Sequence, residues 1–313
     1  MTRLAVVIPV YQAAQTLDPL LAELLPALSR LTPDFDVLLV DDGSTDASWT
    51  LIEQASARDG RVRGLRLIRN FGEHVAITAG IDHVDADHIV IMACDLQDDP
   101  AALEQMMQQA TEGAELVLVR RMARQDAWSK RLLARLFYAM ISLFFHVHYD
   151  YRVGNFRLLS RDAASYFRQH RERARNVNAI MALMDVRTGY VDVRHRPRRH
   201  GNSTYTLHRS ALMAASVVLG YSQMPLLVSG AVGGVLCLAS LACGAALGVR
   251  AWTGGTVSST ALILSGVGAV GGFVLVNLGI VGVYLGRAAI EAKDRPMYFV
   301  DARVGGSDRI KGS

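Results

Sequence analysis

Between Ser210 and Val249 the chain carries no charged side chain, and between Ala251 and Gly286 it again carries none. A helix crosses the hydrocarbon core of a bilayer with roughly 20 apolar residues, so each run is long enough to span it. We read two transmembrane helices, over about 225–249 and about 258–284, joined by the short turn RAWTGGTVSS. The competing reading is a pair of buried core helices, but soluble core helices seldom run uncharged for so long. The start, MTRLAVVIPVYQ, enters a strand pattern at once and has neither the apolar stretch nor the cleavage site of a signal peptide. Residues 1 to about 205 are therefore expected on the side where they are made, and two crossings return the tail to that side. The flanking segments RHRPRRH and GRAAIEAKDR are Arg-rich, as the positive-inside rule requires of cytoplasmic flanks. Cys94, Cys237 and Cys243 have no metal-ligand spacing and fit a reduced compartment without disulfides. The net charge of +4 is modest and gathers near the expected membrane surface, which points to anionic headgroups or phosphates and not to nucleic acid.

The first 120 residues alternate strand and helix patterns. Strands are expected at 4–11, 36–44, 62–70, 88–95 and 114–121, with helices at about 16–30, 46–58, 73–84 and 100–113. Strands that are apolar without alternation belong to a parallel sheet covered on both faces, so the fold class is α/β. Such sheets bind ligands beyond the C-terminal ends of their strands. Tyr11, Asp41, Asp42, Arg69 and Asp95 all fall at that edge. Residues 127–148 start basic (Lys130, Arg131, Arg135) and continue aromatic and aliphatic, which reads as an interfacial amphipathic helix or as a core helix with a solvated start.

The segment IVIMACDLQDDP, 89–100, is an apolar strand that ends in carboxylates, a place where an α/β protein can hold a divalent cation against a phosphate. Together with VVIPVY (6–11), VDDGSTD (40–46) and RNFGEHVAITAG (69–80), in this order and spacing, it resembles the family 2 glycosyltransferases. The resemblance is closest to their polyprenyl-phosphate branch, which includes dolichyl-phosphate mannose synthase and bactoprenol glucosyltransferases. It runs on through WSKRLLARLFY (128–138), VGNFRLLSR (153–161), RRHGNSTYTLHR (198–209) and VYLGRAAIEAKDRPMYFV (283–300), nearly the whole chain.

The resemblance implies a GT-A type, Rossmann-like catalytic domain that uses a nucleotide-sugar donor, Mg²⁺ or Mn²⁺, and a lipid-linked phosphate acceptor. It implies an integral protein of the bacterial inner membrane with a cytoplasmic catalytic domain, in contact with membrane lipids and compatible with a homo-oligomer. Pro9, Tyr11, Asp41, Asp42 and Arg69 match the nucleotide-contacting positions. Asp95 and Gln97 match the second and third positions of the metal-binding DxDxQ, while Ala93 stands at the first, where Asp is usual. Asn155 stands where many relatives have an Asp proposed as a base, and Thr204 where a Lys is frequent. A lipid monophosphate is largely ionised near neutrality, so the acceptor needs positioning and screening more than deprotonation. Arg157, Lys130, Arg131 and Arg198 are the expected phosphate-bracketing cations, and Asp95, Asn155 and Arg157 the expected catalytic set. The layout expected is a nucleotide-sugar-binding core at 1–125, an acceptor-side region at 126–222, two spans within 223–286 and a cytoplasmic tail at 287–313. The leading reaction is inverting transfer of one sugar to undecaprenyl phosphate. Transfer to another lipid acceptor, or a catalytically impaired membrane scaffold, remain the alternatives.

Overall fold

The computed structural model describes residues 2–122, 153–171, 176–194, 259–293 and 295–305, together with scattered positions between 232 and 253. Residues 1–205 and 296–313 make one compact unit, and residues 206–295 a second.

The first unit is built on β1 (Leu4–Val10), β2 (Phe35–Asp41), β3 (Val62–Leu67) and β4 (His88–Ile91), which pair in parallel in the order β4-β1-β2-β3. Every residue of β1 and β2 is buried, because helices cover both faces and leave no solvent side for polar alternation. Between these strands run α1 (Leu17–Leu31), α2 (Ser48–Arg58) and α3 (Glu73–Asp82), and α4 (Ala102–Thr111) follows β4. Leu17, Leu20, Leu21, Leu24 and Leu28 form the buried stripe of α1, with Leu25 half-buried beside it.

Beyond β4 the sheet departs from the expected all-parallel arrangement. Its full order is β7-β5-β6-β4-β1-β2-β3-β8, with β5 (Leu116–Met122), β6 (Val153–Ser160), β7 (Thr188–Arg194) and β8 (Val300–Val304). β6 runs antiparallel between β4 and β5, so the fifth strand does not neighbour the fourth. β5 pairs with β7 in parallel on its other side. Two short helices follow β6. α5 (Arg161–Gln169) is capped by Ser160, whose Oγ accepts from Ala163 N at 3.2 Å, and α6 (Val177–Leu183) by Asn176, whose Oδ1 accepts from Ala179 N at 3.0 Å. The strands from the expected acceptor-side segment thus complete the sheet of the nucleotide-side core.

The C-terminal segment is not a loose tail. β8 adds antiparallel to β3, with Leu65 opposite Arg303 and Leu67 opposite Val300. Ile68 N donates to Phe299 O at 3.1 Å, and Tyr298 Oη donates to Asp82 Oδ2 at 3.0 Å. Asp82 also receives Arg171 at 2.8 Å. Burial and the neighbouring Asp82 charge push the Tyr298 phenol well above its ordinary range.

The second unit contains α7 (Ser259–Glu291), 33 residues whose only charges are Arg287 and Glu291. Its Ile263, Val267, Val274, Leu278 and Leu285 are exposed. A Cβ on Gly233 would lie 1.8 Å from the Phe273 ring, so a side chain there would displace that ring. Among the described residues no helix is long and apolar enough to cross a membrane. The two expected spans are therefore not established as such. Most of 225–249 lies outside the described residues, and within α7 only part of the side chains is described. The expected interfacial helix at 127–148 also lies outside them.

Candidate active site

Four parallel strands deliver their C-terminal ends to one edge, and the loops there are tied to one another by side-chain caps. After β1 the chain passes through exposed Tyr11 to Gln12, which sits at φ 52°. Gln12 N donates to Ser44 Oγ at 3.0 Å, Ala13 N to Ser48 Oγ at 2.9 Å and Ala14 N to Asp46 Oδ2 at 3.2 Å. The GSTD stretch therefore holds the loop that follows β1. Pro9 lies in β1 opposite Val40, beyond Val7, the last residue paired with β4, so its missing N–H breaks no ladder there.

Asp41 and Asp42 are both buried but do different things. Asp42 Oδ1 accepts from Phe71 N at 2.7 Å and Oδ2 from Gly72 N at 2.8 Å, so its carboxylate pins the RNFG loop. Asp41 Oδ1 accepts from Ser44 N at 3.1 Å, while Oδ2 has the Arg66 Nε at 3.4 Å and no hydrogen bond. Burial raises the pKa of both groups, and the amide bonds to each oppose it. The pinned loop carries Arg69, exposed, with its guanidinium 4.6 Å from the centre of the Phe71 ring.

Gly43, between these acids and the cap residues, has φ +67°, and a Cβ there would lie 2.5 Å from the Arg69 carbonyl carbon. The Gly43→Ala protein is expected to lose about 2 kcal/mol or more, from the left-handed backbone and the displaced RNFG loop. A thermal melt reads the first effect and UDP titration the second. A variant that melts and binds like the parent would remove the loop contact from the account.

After β4 the loop tightens around Leu96, at φ 62°. Asp98 is buried and its Oδ2 accepts from Ala93 N at 3.1 Å, closing the loop on itself; Asp99 Oδ1 takes Ala101 N at 3.0 Å at the start of α4. Asp95 and Gln97 are half-exposed, and Asp95 Oδ1 accepts from Gln97 N at 3.1 Å. Among the described residues no group of three or more His, Cys, Asp or Glu side chains can hold a metal by itself. Asp95 and Gln97 fit a divalent ion as a partial shell, with water and a diphosphate completing it, as Mg²⁺ prefers. Cys94 beside them is no nucleophile, since burial and the Asp95 charge push its thiol up to about 11.

β6 brings the acceptor-side candidates to the same edge. Ile91, the last residue of β4, pairs with Arg157, and Asn155 lies two residues before Arg157 on β6. Arg157 is buried, and its guanidinium donates to Gly154 O at 2.9 Å, Asn155 Oδ1 at 3.2 Å and Asn178 Oδ1 at 2.5 Å. In this structure Arg157 holds Asn155 and α6 together. Asn155 Nδ2 donates to Glu73 Oε1 at 2.6 Å. Glu73, at the start of α3, was not singled out from the sequence, where an acid in a first helical turn reads as an ordinary partner of the helix dipole. Lys130, Arg131 and Arg198 lie outside the described residues.

Residues 5–169 match the family Glycosyl transferase family 2. An uncharacterised glycosyltransferase of Synechocystis is 30% identical over 95% of this chain and 94% of its own length. The chain belongs to glycosyltransferase family 2. It is a glycosyltransferase, and the motif resemblance to the polyprenyl-phosphate branch stands beside relatives that carry that acceptor in their names. One is the undecaprenyl-phosphate 4-deoxy-4-formamido-L-arabinose transferase of Proteus mirabilis, 28% identical over 97% of this chain and 94% of the relative. The fold is also that of the glucosyl-3-phosphoglycerate synthase of Mycobacterium tuberculosis, solved with Mn²⁺, UDP and glucosyl-3-phosphoglycerate. That match has a TM-score of 0.51 at 15% identity, covering 70% of this chain and 78% of that one. The mixed sheet of this glycosyltransferase is thus of GT-A type.

Proposed function

We propose that this family 2 glycosyltransferase moves one sugar, with inversion, from a nucleotide-sugar donor to undecaprenyl phosphate at the cytoplasmic face of the bacterial inner membrane. The observation that carries the proposal is the similarity to undecaprenyl-phosphate sugar transferases along 97% of the chain, hydrophobic region included. A domain-only likeness would have supported the donor half alone.

In this reading Asp41 and Tyr11 receive the base and ribose, and Asp42 acts by fixing the loop that presents Arg69. Asp95 and Gln97 would hold Mg²⁺ or Mn²⁺ together with the donor diphosphate, and the ion would neutralise charge on the leaving group. A phosphate oxygen of the acceptor bonds to the anomeric carbon as the bond to the diphosphate breaks on the opposite side. Asn155 orients that phosphate, Arg157 holds Asn155, and Lys130, Arg131 and Arg198 supply positive charge from the membrane side. A scaffold without activity would have no need of two carboxylate oxygens clamped on Phe71 and Gly72.

Residues 300–304 share a sheet with residues 4–10, so any excursion through the bilayer between them would cross it an even number of times.

The test is a panel of labelled UDP-, GDP- and dTDP-sugars with purified protein, undecaprenyl phosphate and Mg²⁺ or Mn²⁺. One donor should give a lipid-phosphate sugar. Product on a different lipid alone would favour the other-acceptor reading, and no product from any pair would sink the proposal. Charge reversal at Lys130 and Arg131 is expected to raise KM for the lipid about tenfold and leave KM for the donor unchanged. Equal weakening of both would place those residues in the structural core.

A further inference from the structure

Ala93 and Asn155 stand where the resemblance expects carboxylates, and Glu73, within the RNFGEH stretch, supplies one beside Asn155. Glu73 is exposed, with its carboxyl near the Asn155 amide and the Arg157 charge. Its Oε1 is fixed by Asn155 Nδ2 at 2.6 Å, while its Oε2 makes no hydrogen bond among the described residues. Asn155 is fixed in turn, since its Oδ1 accepts from the buried Arg157. Glu73, Asn155, Arg157 and Asn178 form one chain of hydrogen bonds from α3 through β6 to α6. The charges that face Glu73 are Arg157 on one side and Asp95 and Asp98 on the other.

We infer that Glu73 is the acceptor-side base of this enzyme, held on target by the Asn155 amide. The inference rests on the transfer reaction proposed above. When the acceptor phosphate arrives as its monoanion, the P–OH proton passes to Glu73 Oε2. The freed oxygen bonds to the anomeric carbon, and the nucleoside diphosphate leaves. The carboxylate is hydrogen-bonded to the amide that orients the acceptor in the proposed reading, which sets Glu73 beside the place where the acceptor proton would lie. Crowding favours the same role, because burial raises the Glu73 carboxyl above its ordinary range and makes it a better proton acceptor.

Glu73→Gln separates charge from shape, because the Gln carbonyl still accepts from Asn155. Below pH 6, where the acceptor phosphate is mostly its monoanion, it should lower kcat about a hundredfold with KM for the donor unchanged, and above pH 7, where that phosphate is already ionised, it should change kcat little. The exchange variant E73Q/N155D restores one carboxylate to the pair on the other strand and should recover kcat to within about tenfold of the parent. Both are assayed on full-length protein with undecaprenyl phosphate and the active donor, beside thermal melts. Parental kcat in E73Q below pH 6, with the unmodified enzyme active, or an equal loss above pH 7, overturns the inference alone. Absence of recovery in the exchange variant overturns it as well, and this variant decides if E73Q melts early. An unmodified enzyme that makes no product with any donor overturns the transfer reading, and the role of Glu73 falls with it.

Discussion

Asp95→Ala protein is expected to make no detectable lipid-linked sugar, a loss of about a thousandfold or more in kcat. The expectation follows from what remains when that side chain is removed. Ala93 already lacks a ligand at the first motif position, Asp98 is spent on Ala93 N, and no described trio of metal-binding side chains exists elsewhere. Gln97 alone offers a neutral oxygen, too weak to hold a divalent ion against water. The complementary variant, Ala93→Asp, should lower the metal concentration for half-maximal rate severalfold. Near-normal turnover in Asp95→Ala would place the metal, or its absence, outside this loop. An unchanged metal requirement in Ala93→Asp would show that position 93 does not face the ion.

Asp41→Asn should separate stability from binding. Asp41 is fully buried at the end of β2, and burial holds its pKa above the ordinary carboxylate value despite Ser44 and Arg66. The sign follows from linkage. Between the ordinary value and the raised one the native state binds the extra proton, so stability falls as pH rises through that window. Above the raised value the penalty is complete. Asn removes it, so the variant should melt no lower than the parent at neutral pH, and any advantage should vanish in acid, where Asp41 is protonated. Arg66 keeps Asp301 at 3.9 Å and the Trp49 ring at 5.7 Å and stays partly solvated. Nucleotide affinity should drop roughly ten- to hundredfold, the cost of losing a charged acceptor in the base pocket. Undiminished binding of the nucleotide of the active donor would remove Asp41 from the nucleotide site, and a sharp loss of stability would show that the Arg66 pair outweighs burial.

What the sequence disclosed and what it withheld divide along one physical line. β1 to β4 are continuous apolar runs between helices of clear period, and the ligand edge follows from their direction alone. β6 and β8 gave weaker signals. VGNFRLLS breaks its run with Asn155 and Arg157, and VDARV alternates over only five positions. Asp42 was legible as a site acid, but its partners are the backbone amides of Phe71 and Gly72, which carry no residue signature. The contact of Glu73 with Asn155 was hidden because the two lie 82 positions apart, and spacing within a motif cannot show that.

The pairing of β8 with β3 has a consequence for how the protein is made. Synthesis delivers β8 long after β3, behind the whole hydrophobic segment. Until then Val62–Leu67 presents an open edge, whose free N–H and C=O groups can recruit strands from other chains. Closure of that edge links positions far apart in the chain and is slow to form by search. Completion of the sheet thus waits until everything between β3 and β8 has been made. A polypeptide stalled within 206–295 keeps its folded βα units, and with them an unpaired flank that favours aggregation.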